Sequence, residues 1–242
     1  MTFHNLGFLF FIFTALHAIV KLSLNKVNLF QVVGFQFSKP NVSVLFSLIL
    51  LGFICFSTLF LINYQSQLVI LLNFNTLSVV FELGYENIII AFVEEFLIRG
   101  LVFISIYYLF SNIYISLILS SLIFSTLHIG TSELVAFISY FIAGIMYGLS
   151  FIKFKSILAP IGLHFSWNFF QSFFGFPVGG IKDEGFFTLS IESNFIFNGG
   201  SVGPEESILG IVLRVFIIGI VLIYSKYKKH KDINTNQFLK IK

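Results

Sequence analysis

Charge is what this sequence has least of. Only 10% of its 242 residues are Asp, Glu, Lys or Arg, against about 25% in a typical soluble domain. Hydrophobic residues make up 57%, and the mean hydropathy is +0.97. That balance excludes an ordinary soluble globular domain and makes lipid the solvent for most of the surface. Cysteine is nearly absent too. Cys55, alone in the apolar run Val42 to Ile62, excludes an internal disulfide and leaves a small packing role. The N-terminal stretch has no basic n-region and no A-x-A-like site after its apolar residues, so Leu6 to Val20 is expected to be a retained, short first span. No linker, charge block or 20- to 50-residue period divides the chain, and nothing in it points to nucleic acid.

Apolar segments fill the space that charge leaves. A helix needs about 20 residues to cross the hydrocarbon, and spans are expected near 6–20, 42–62, 88–110, 113–128, 134–151, 157–176 and 208–226. The run 67–83 is ambiguous. Asn73 and Asn75 interrupt it and Glu82, Gly84 and Glu86 end it, so spanning, re-entrant and interfacial placements all remain open. The long, non-alternating runs imply helices and argue against a transmembrane barrel. The expected fold is an all-α polytopic bundle of about seven or eight spans. Gly144 and Gly148 form a G-x-x-x-G that is read as packing within the bundle.

Loop charges orient that bundle. Lys226, Lys228, Lys229, Lys231, Lys240 and Lys242 follow the last span, whereas the 177–207 loop carries Asp183, Glu184, Glu192, Glu205 and Glu206 against Lys182. Positive-inside bias puts the tail in the cytoplasm and the acidic loop outside. Counting back, Lys153 and Lys155 also fall inside. Lys21, Lys26 and Lys39 join them only if 67–83 does not cross, giving seven spans; with eight, those three lysines lie on the wrong side. The tail is expected to sit on anionic lipid headgroups at roughly 1 kcal/mol per charge.

Three polar clusters interrupt the apolar spans: Glu94-Glu95 with Arg99, Phe124 with His128, and His164 with Asn168. Insertion scales put a lipid-facing charge near a helix centre at roughly 2.5 to 3.5 kcal/mol, so Glu94, Glu95 and Arg99 together cost on the order of 9 kcal/mol unless paired or turned inward. At 100° per residue, Glu95 and Arg99 lie roughly 40° apart around the axis, one turn along, which suits an ion pair. Glu94 is roughly 100° from Glu95 and needs another partner. A carboxylate without its own cation at membrane depth is the environment of a general base.

The other two clusters offer those partners. Phe124 precedes His128 by one turn, and His164 and Asn168 share a face, with Pro160 tolerated in the first helical turn. One carboxylate, two imidazoles and an amide from three helices are the parts needed to activate a water, move its proton and bind an oxyanion during peptide hydrolysis. The same atoms also fit a metal: Glu94, His128 and His164 would make a His2Glu zinc set with one position for water. The usual H-E-x-x-H helix is absent, and both routes stay open.

Glu94-Glu95-x-x-x-Arg99, Phe124-x-x-x-His128 and His164-x-x-x-Asn168, in this order on successive apolar segments, resemble the three motifs of the CPBP family. These are CAAX prenyl endopeptidases and bacteriocin-processing or immunity proteins, also called the Abi family. The resemblance covers about residues 88–176. The loop Gly199 to Glu205 before the last span resembles the family's C-terminal end more loosely, and the first 85 residues match no motif. The resemblance implies an intramembrane endopeptidase with a polar cavity, acting on a membrane-associated protein or peptide. Glu94 with His128 would activate the water, His164 with Asn168 would bind the oxyanion, and Glu95, Arg99 and Phe124 would support the site. It divides the chain into an N-terminal segment (1–85), a protease-like core (86–226) and a basic tail (227–242). The Phe-, Ile-, Asn- and Lys-rich composition looks bacterial, which implies a cytoplasmic-membrane protein.

Taken singly, each cluster has a plainer reading. Glu95 and Arg99 suit a structural ion pair, His128 an interfacial histidine, and His164 with Asn168 interhelical hydrogen bonding. Their joint occurrence favours the catalytic reading. Two rivals remain: a proton-coupled transporter, which an inverted repeat would favour, and a non-catalytic scaffold or self-immunity protein.

Overall fold

The computed structural model describes residues 3–128, 134–182 and 184–227. Lys228, Lys229, Lys231, Lys240 and Lys242, on which the lipid-anchoring expectation rests, lie outside the described residues, as does Asp183.

Helix α1 (Phe3–Leu24) is followed by a short α2 (Leu29–Val32) and the long α3 (Lys39–Gln65). Pro40 sits in the first turn of α3, where its missing N–H costs nothing, and Gln67 ends the helix in a left-handed conformation (φ 58°). Strand β1 (Val69–Phe74) then leads into α4 (Leu77–Glu95), which continues without a break through a π-helical turn (Phe96–Val102) into α5 (Phe103–Phe110). Asn112 caps α6 (Ile113–Leu127), its side chain accepting from the N–H groups of Tyr114 and Ile115 at 2.9 and 3.1 Å. The remaining elements are α7 (Leu134–Phe154), α8 (Leu158–Phe173), β2 (Phe187–Ile191), a 3-10 turn (Pro204–Glu206) and α9 (Ile208–Tyr227).

The chain is an all-α membrane protein, and α1, α3, α7 and α9 are each long and apolar enough to cross a bilayer. Their outer faces present large apolar side chains such as Phe10, Phe13, Phe46 and Phe216. Helix α8 is central, packing against α3, α4 and α7. Close approach of α6 and α7 depends on the glycine pair: a Cβ on Gly144 would lie 2.8 Å from Ser121 Cα, and one on Gly148 2.4 Å from Leu117 Cδ1. The G-x-x-x-G is therefore a packing device, as its sequence reading holds.

The run 67–83 is not a helix throughout, and the expected 88–110 span begins earlier, at Leu77. Residues 69–74 form β1, antiparallel to β2, with Ile70 opposite Ser190 and Leu71 opposite Leu189. Asn75 fastens the end of the strand, donating to the Gly185 carbonyl at 2.7 Å. A short apolar run reads equally as strand or helix by periodicity alone, and its partner lies over a hundred residues away. This pairing holds the α3–α4 and α8–α9 connections at one end of the bundle.

At the other end, Ile157 N donates to Val33 O and Ser156 Oγ donates to Gly34 O, both at 2.9 Å. The Phe154 and Tyr224 rings approach to 5.7 Å there. These contacts gather Lys26, Lys39, Lys153, Lys155 and Lys226 toward the same end, which is the arrangement that a non-crossing 67–83 requires. The 85/86 division falls inside α4, while α1 packs on α6 and α3 on α8.

Candidate active site

The site forms where α4 passes into its π turn. Glu94 and Glu95 are the last α-helical residues, and Arg99 lies within the widened turn Phe96–Val102. Such turns are rare and concentrate at functional sites. Glu95 and Arg99 are fully buried and paired, Arg99 Nη1 lying 2.9 and 2.8 Å from the two Glu95 oxygens. Arg99 Nη2 also donates to the Gly144 carbonyl at 3.0 Å, and its guanidinium faces the Phe124 and Tyr147 rings at 5.1 and 5.5 Å. Packing α6 and α7 through glycine thus exposes a backbone carbonyl to the arginine. Pairing a buried cation and giving it further acceptors is how a bundle tolerates charge.

Glu94 points elsewhere, as the helical geometry requires. Its side chain, 32% exposed, faces His128 Nε2 at 3.3 Å and His164 Nε2 at 3.9 Å, both measured to Oε2. That oxygen is buried and has no well-aligned hydrogen bond among the described residues. His128 closes α6, its Nδ1 2.8 Å from the Phe124 carbonyl and its ring 4.1 Å from the Phe124 ring. A carbonyl only accepts, so Nδ1 carries a proton, and Nε2 is left facing the Glu94 carboxylate.

His164 is held the same way by a different partner. Its Nδ1 lies 2.9 Å from Glu95 Oε1, and its ring stacks on Tyr147 at 4.7 Å. Pro160 sits in the first turn of α8, leaving the helix regular through His164 and Asn168. Helical spacing implied the Glu95–Arg99 pair but not this third member. One buried carboxylate therefore anchors both the arginine and the second histidine.

Glu94, His128, His164 and Asn168 line one cavity of about 290 Å³, joined by Tyr140 and Trp167. Its far wall holds two residues that sequence reasoning did not place in the site, Glu205 and Arg214. Although it belongs to the acidic 177–207 loop, Glu205 is 2% exposed, its carboxylate accepting from the Gln171 side-chain amide. Burial holds the Glu205 carboxyl above the usual range, with Arg214 and Gln171 working against it. Arg214, 1% exposed on α9, donates from Nη1 to Ser139 Oγ and lies over Trp167 at 4.4 Å. Its signal was present in the sequence, since an arginine inside an apolar span is a functional candidate by default.

Among the described residues, no group of three or more His, Cys, Asp or Glu side chains is disposed to hold an ion. Both Nε2 atoms instead approach the same carboxylate oxygen.

Residues 76–170 match the family model of Type II CAAX prenyl endopeptidase Rce1-like proteins. The match runs from the start of α4 through most of α8 and includes all three motifs. It leaves out Glu205, Arg214 and the whole of α9. No curated protein and no solved structure matches the chain.

Proposed function

We propose, from the match of residues 76–170 to the Rce1-like family model, that this chain is a CPBP-family intramembrane protease, and that it hydrolyses a peptide bond of a membrane-associated protein or peptide with Glu94 as general base. The observation that carries this reading is the Glu94 carboxylate, without a cation of its own, facing two imidazole Nε2 atoms at 3.3 and 3.9 Å on a cavity wall.

A water held between Glu94 and His128 gives a proton to the carboxylate as its oxygen attacks the peptide carbonyl carbon. The carbonyl oxygen becomes an oxyanion, taking hydrogen bonds from the Asn168 amide and from His164 Nε2–H. Glu95, which accepts from His164 Nδ1, keeps that ring aimed. Protonated Glu94 then returns the proton to the leaving nitrogen, either directly or through His128, and the C–N bond breaks to give a carboxylate and an amine. Glu95 and Arg99 position the site and do not touch substrate.

The lysine-rich end of the bundle is assigned to the cytoplasm by positive-inside bias, which places the β1–β2 end outside. With the Phe-, Ile-, Asn- and Lys-rich composition, the compartment we infer is a bacterial cytoplasmic membrane.

The test is to compare peptide termini in membranes from cells carrying wild-type protein with those carrying Glu94→Gln at matched expression. New termini present only with wild type are expected, and they name the substrate. Identical termini in the two samples contradict the hydrolytic reading.

A further inference from the structure

The two buried arginines of this protein are treated differently. Arg99 has the Glu95 carboxylate at 2.8 Å. Arg214 is equally buried, at 1% exposed, yet among the described residues no carboxylate oxygen comes within ion-pair distance of its guanidinium. Its polar contacts are a hydroxyl and a backbone carbonyl: Nη1 donates to Ser139 Oγ and, at 3.4 Å, to Glu205 O. Nε is buried without a hydrogen-bond partner. The remaining contacts are aromatic faces, Trp167 at 4.4 Å and Tyr140 at 5.9 Å. Glu205 attracts Arg214 from a longer range, but its carboxylate is engaged by the Gln171 amide.

A guanidinium held at membrane depth by two rings and one face of hydrogen bonds keeps a second, planar N–H edge for an incoming acceptor. Arg214 lines the cavity that also holds Glu94 and Asn168. Lipid cannot solvate that edge, and a carboxylate matches its fork geometry. We propose that Arg214 is the anion-binding subsite of this cavity, taking a carboxylate of the peptide on which Glu94 acts. The inference rests on the hydrolytic reading for the location of the scissile bond, while the subsite itself lies in α9, beyond the segment that the family match covers.

The spacing limits where that carboxylate sits. The Tyr140 ring neighbours both centres, 5.0 Å from the His128 ring and 5.9 Å from Arg214 Cζ. The His128 ring and the Arg214 guanidinium are thus separated by roughly 11 Å at most, about three residues of extended chain at ~3.5 Å each. A carboxylate within about three residues of the scissile bond reaches Arg214, and two sources meet that condition: the free C-terminus of the peptide, or an Asp or Glu side chain.

Binding is measured on full-length protein in lipid vesicles, in a Glu94→Gln background so that turnover does not enter. The probes are three fluorescent peptides built on an S-prenylated cysteine followed by three residues. The first ends Ala-Ala-Ala with a free carboxylate, the second is its C-terminal amide, and the third is the amide with Asp as its last residue. The first is expected to bind roughly ten- to 100-fold more tightly than the second, as one charge-assisted contact predicts. Adding Arg214→Gln is expected to bring that ratio to about one. Tight binding of the third peptide assigns the preference to any nearby carboxylate; weak binding assigns it to the chain terminus. Arg214→Lys keeps the charge but not the fork, and it is expected to lower the ratio to an intermediate value, which also carries the test if Arg214→Gln does not accumulate. A ratio of one in the Arg214 protein, or a preference that survives either substitution undiminished, overturns the subsite. Failure of the hydrolytic reading looks different: protein with Glu94 intact then leaves the first peptide uncleaved while the binding ratio stands.

Discussion

His164 and Arg99 share one acceptor, the Oε1 atom of Glu95, each at 2.9 Å. The carboxylate that neutralises the buried cation is therefore also the one that aims the second histidine. Glu94, its neighbour in sequence, is left to face the cavity. Adjacent carboxylates take different roles because a helix turns successive side chains about 100° apart.

Removing the cation should expose this coupling. Arg99→Ala leaves Glu95 buried beside a histidine alone, and a loss of about 3–5 kcal/mol is expected. Combining Glu95→Gln with Arg99→Met removes both charges, so the double variant is expected to be more stable than Arg99→Ala. Thermal unfolding of the purified proteins in one detergent checks the order. A double variant less stable than the single one would mean that the pair is not the buried unit described here.

Glu95→Gln alone is expected to keep an acceptor for His164 Nδ1 while leaving Arg99 uncompensated. Hydrolysis per folded molecule should fall by roughly tenfold, because a charge-assisted bond to His164 Nδ1 is replaced by a weaker neutral one. Activity at the wild-type level, normalised to folded protein, would remove Glu95 from any positioning role.

The glycine pair gives an ordered prediction. Gly144→Ala places its Cβ 2.8 Å from the Ser121 backbone, whereas Gly148→Ala meets only the far end of the Leu117 side chain. The first should cost about 1–3 kcal/mol by forcing α6 and α7 apart, and it also disturbs the carbonyl that Arg99 uses. The second should cost less, since Leu117 can change rotamer. Unfolding temperatures in the reverse order would contradict the packing described.

The strand pairing is open to a chemical test. Ile70 and Ser190 are opposite one another in register and both exposed. In a Cys55→Ser background, Ile70→Cys with Ser190→Cys is expected to cross-link under mild oxidation, because directly opposed antiparallel residues lie within disulfide reach. Two cysteines that stay reduced under an oxidant that reaches each one singly would restore a crossing 67–83 segment.

The long helices were legible because apolar runs of about 20 residues admit few other structures in lipid. The three motifs were legible because ionisable groups are rare at that depth. What escaped the sequence was what depends on distant pairing. Residues 69–74 became a strand only by meeting 187–191, and Glu205 is buried because the 3-10 turn carries it to Gln171. The His164–Glu95 bond links α8 to α4 across 69 residues, and no local spacing encodes it. Arg214 was different. The rule that flagged Arg99 applies to it equally, but it has no polar neighbour at helical spacing to draw notice.

Whether Glu94 activates the hydrolytic water is decided by the hydrolysis rate of wild-type and Glu94→Gln protein, reconstituted in the same lipid vesicles, on the peptide whose new terminus wild type generates. The substitution keeps shape and removes the basic oxygen. A fall of about 10²- to 10⁴-fold is expected, with an unchanged unfolding temperature. A rate within tenfold of wild type would contradict the account and return Glu94, His128 and His164 to the architecture of the bundle.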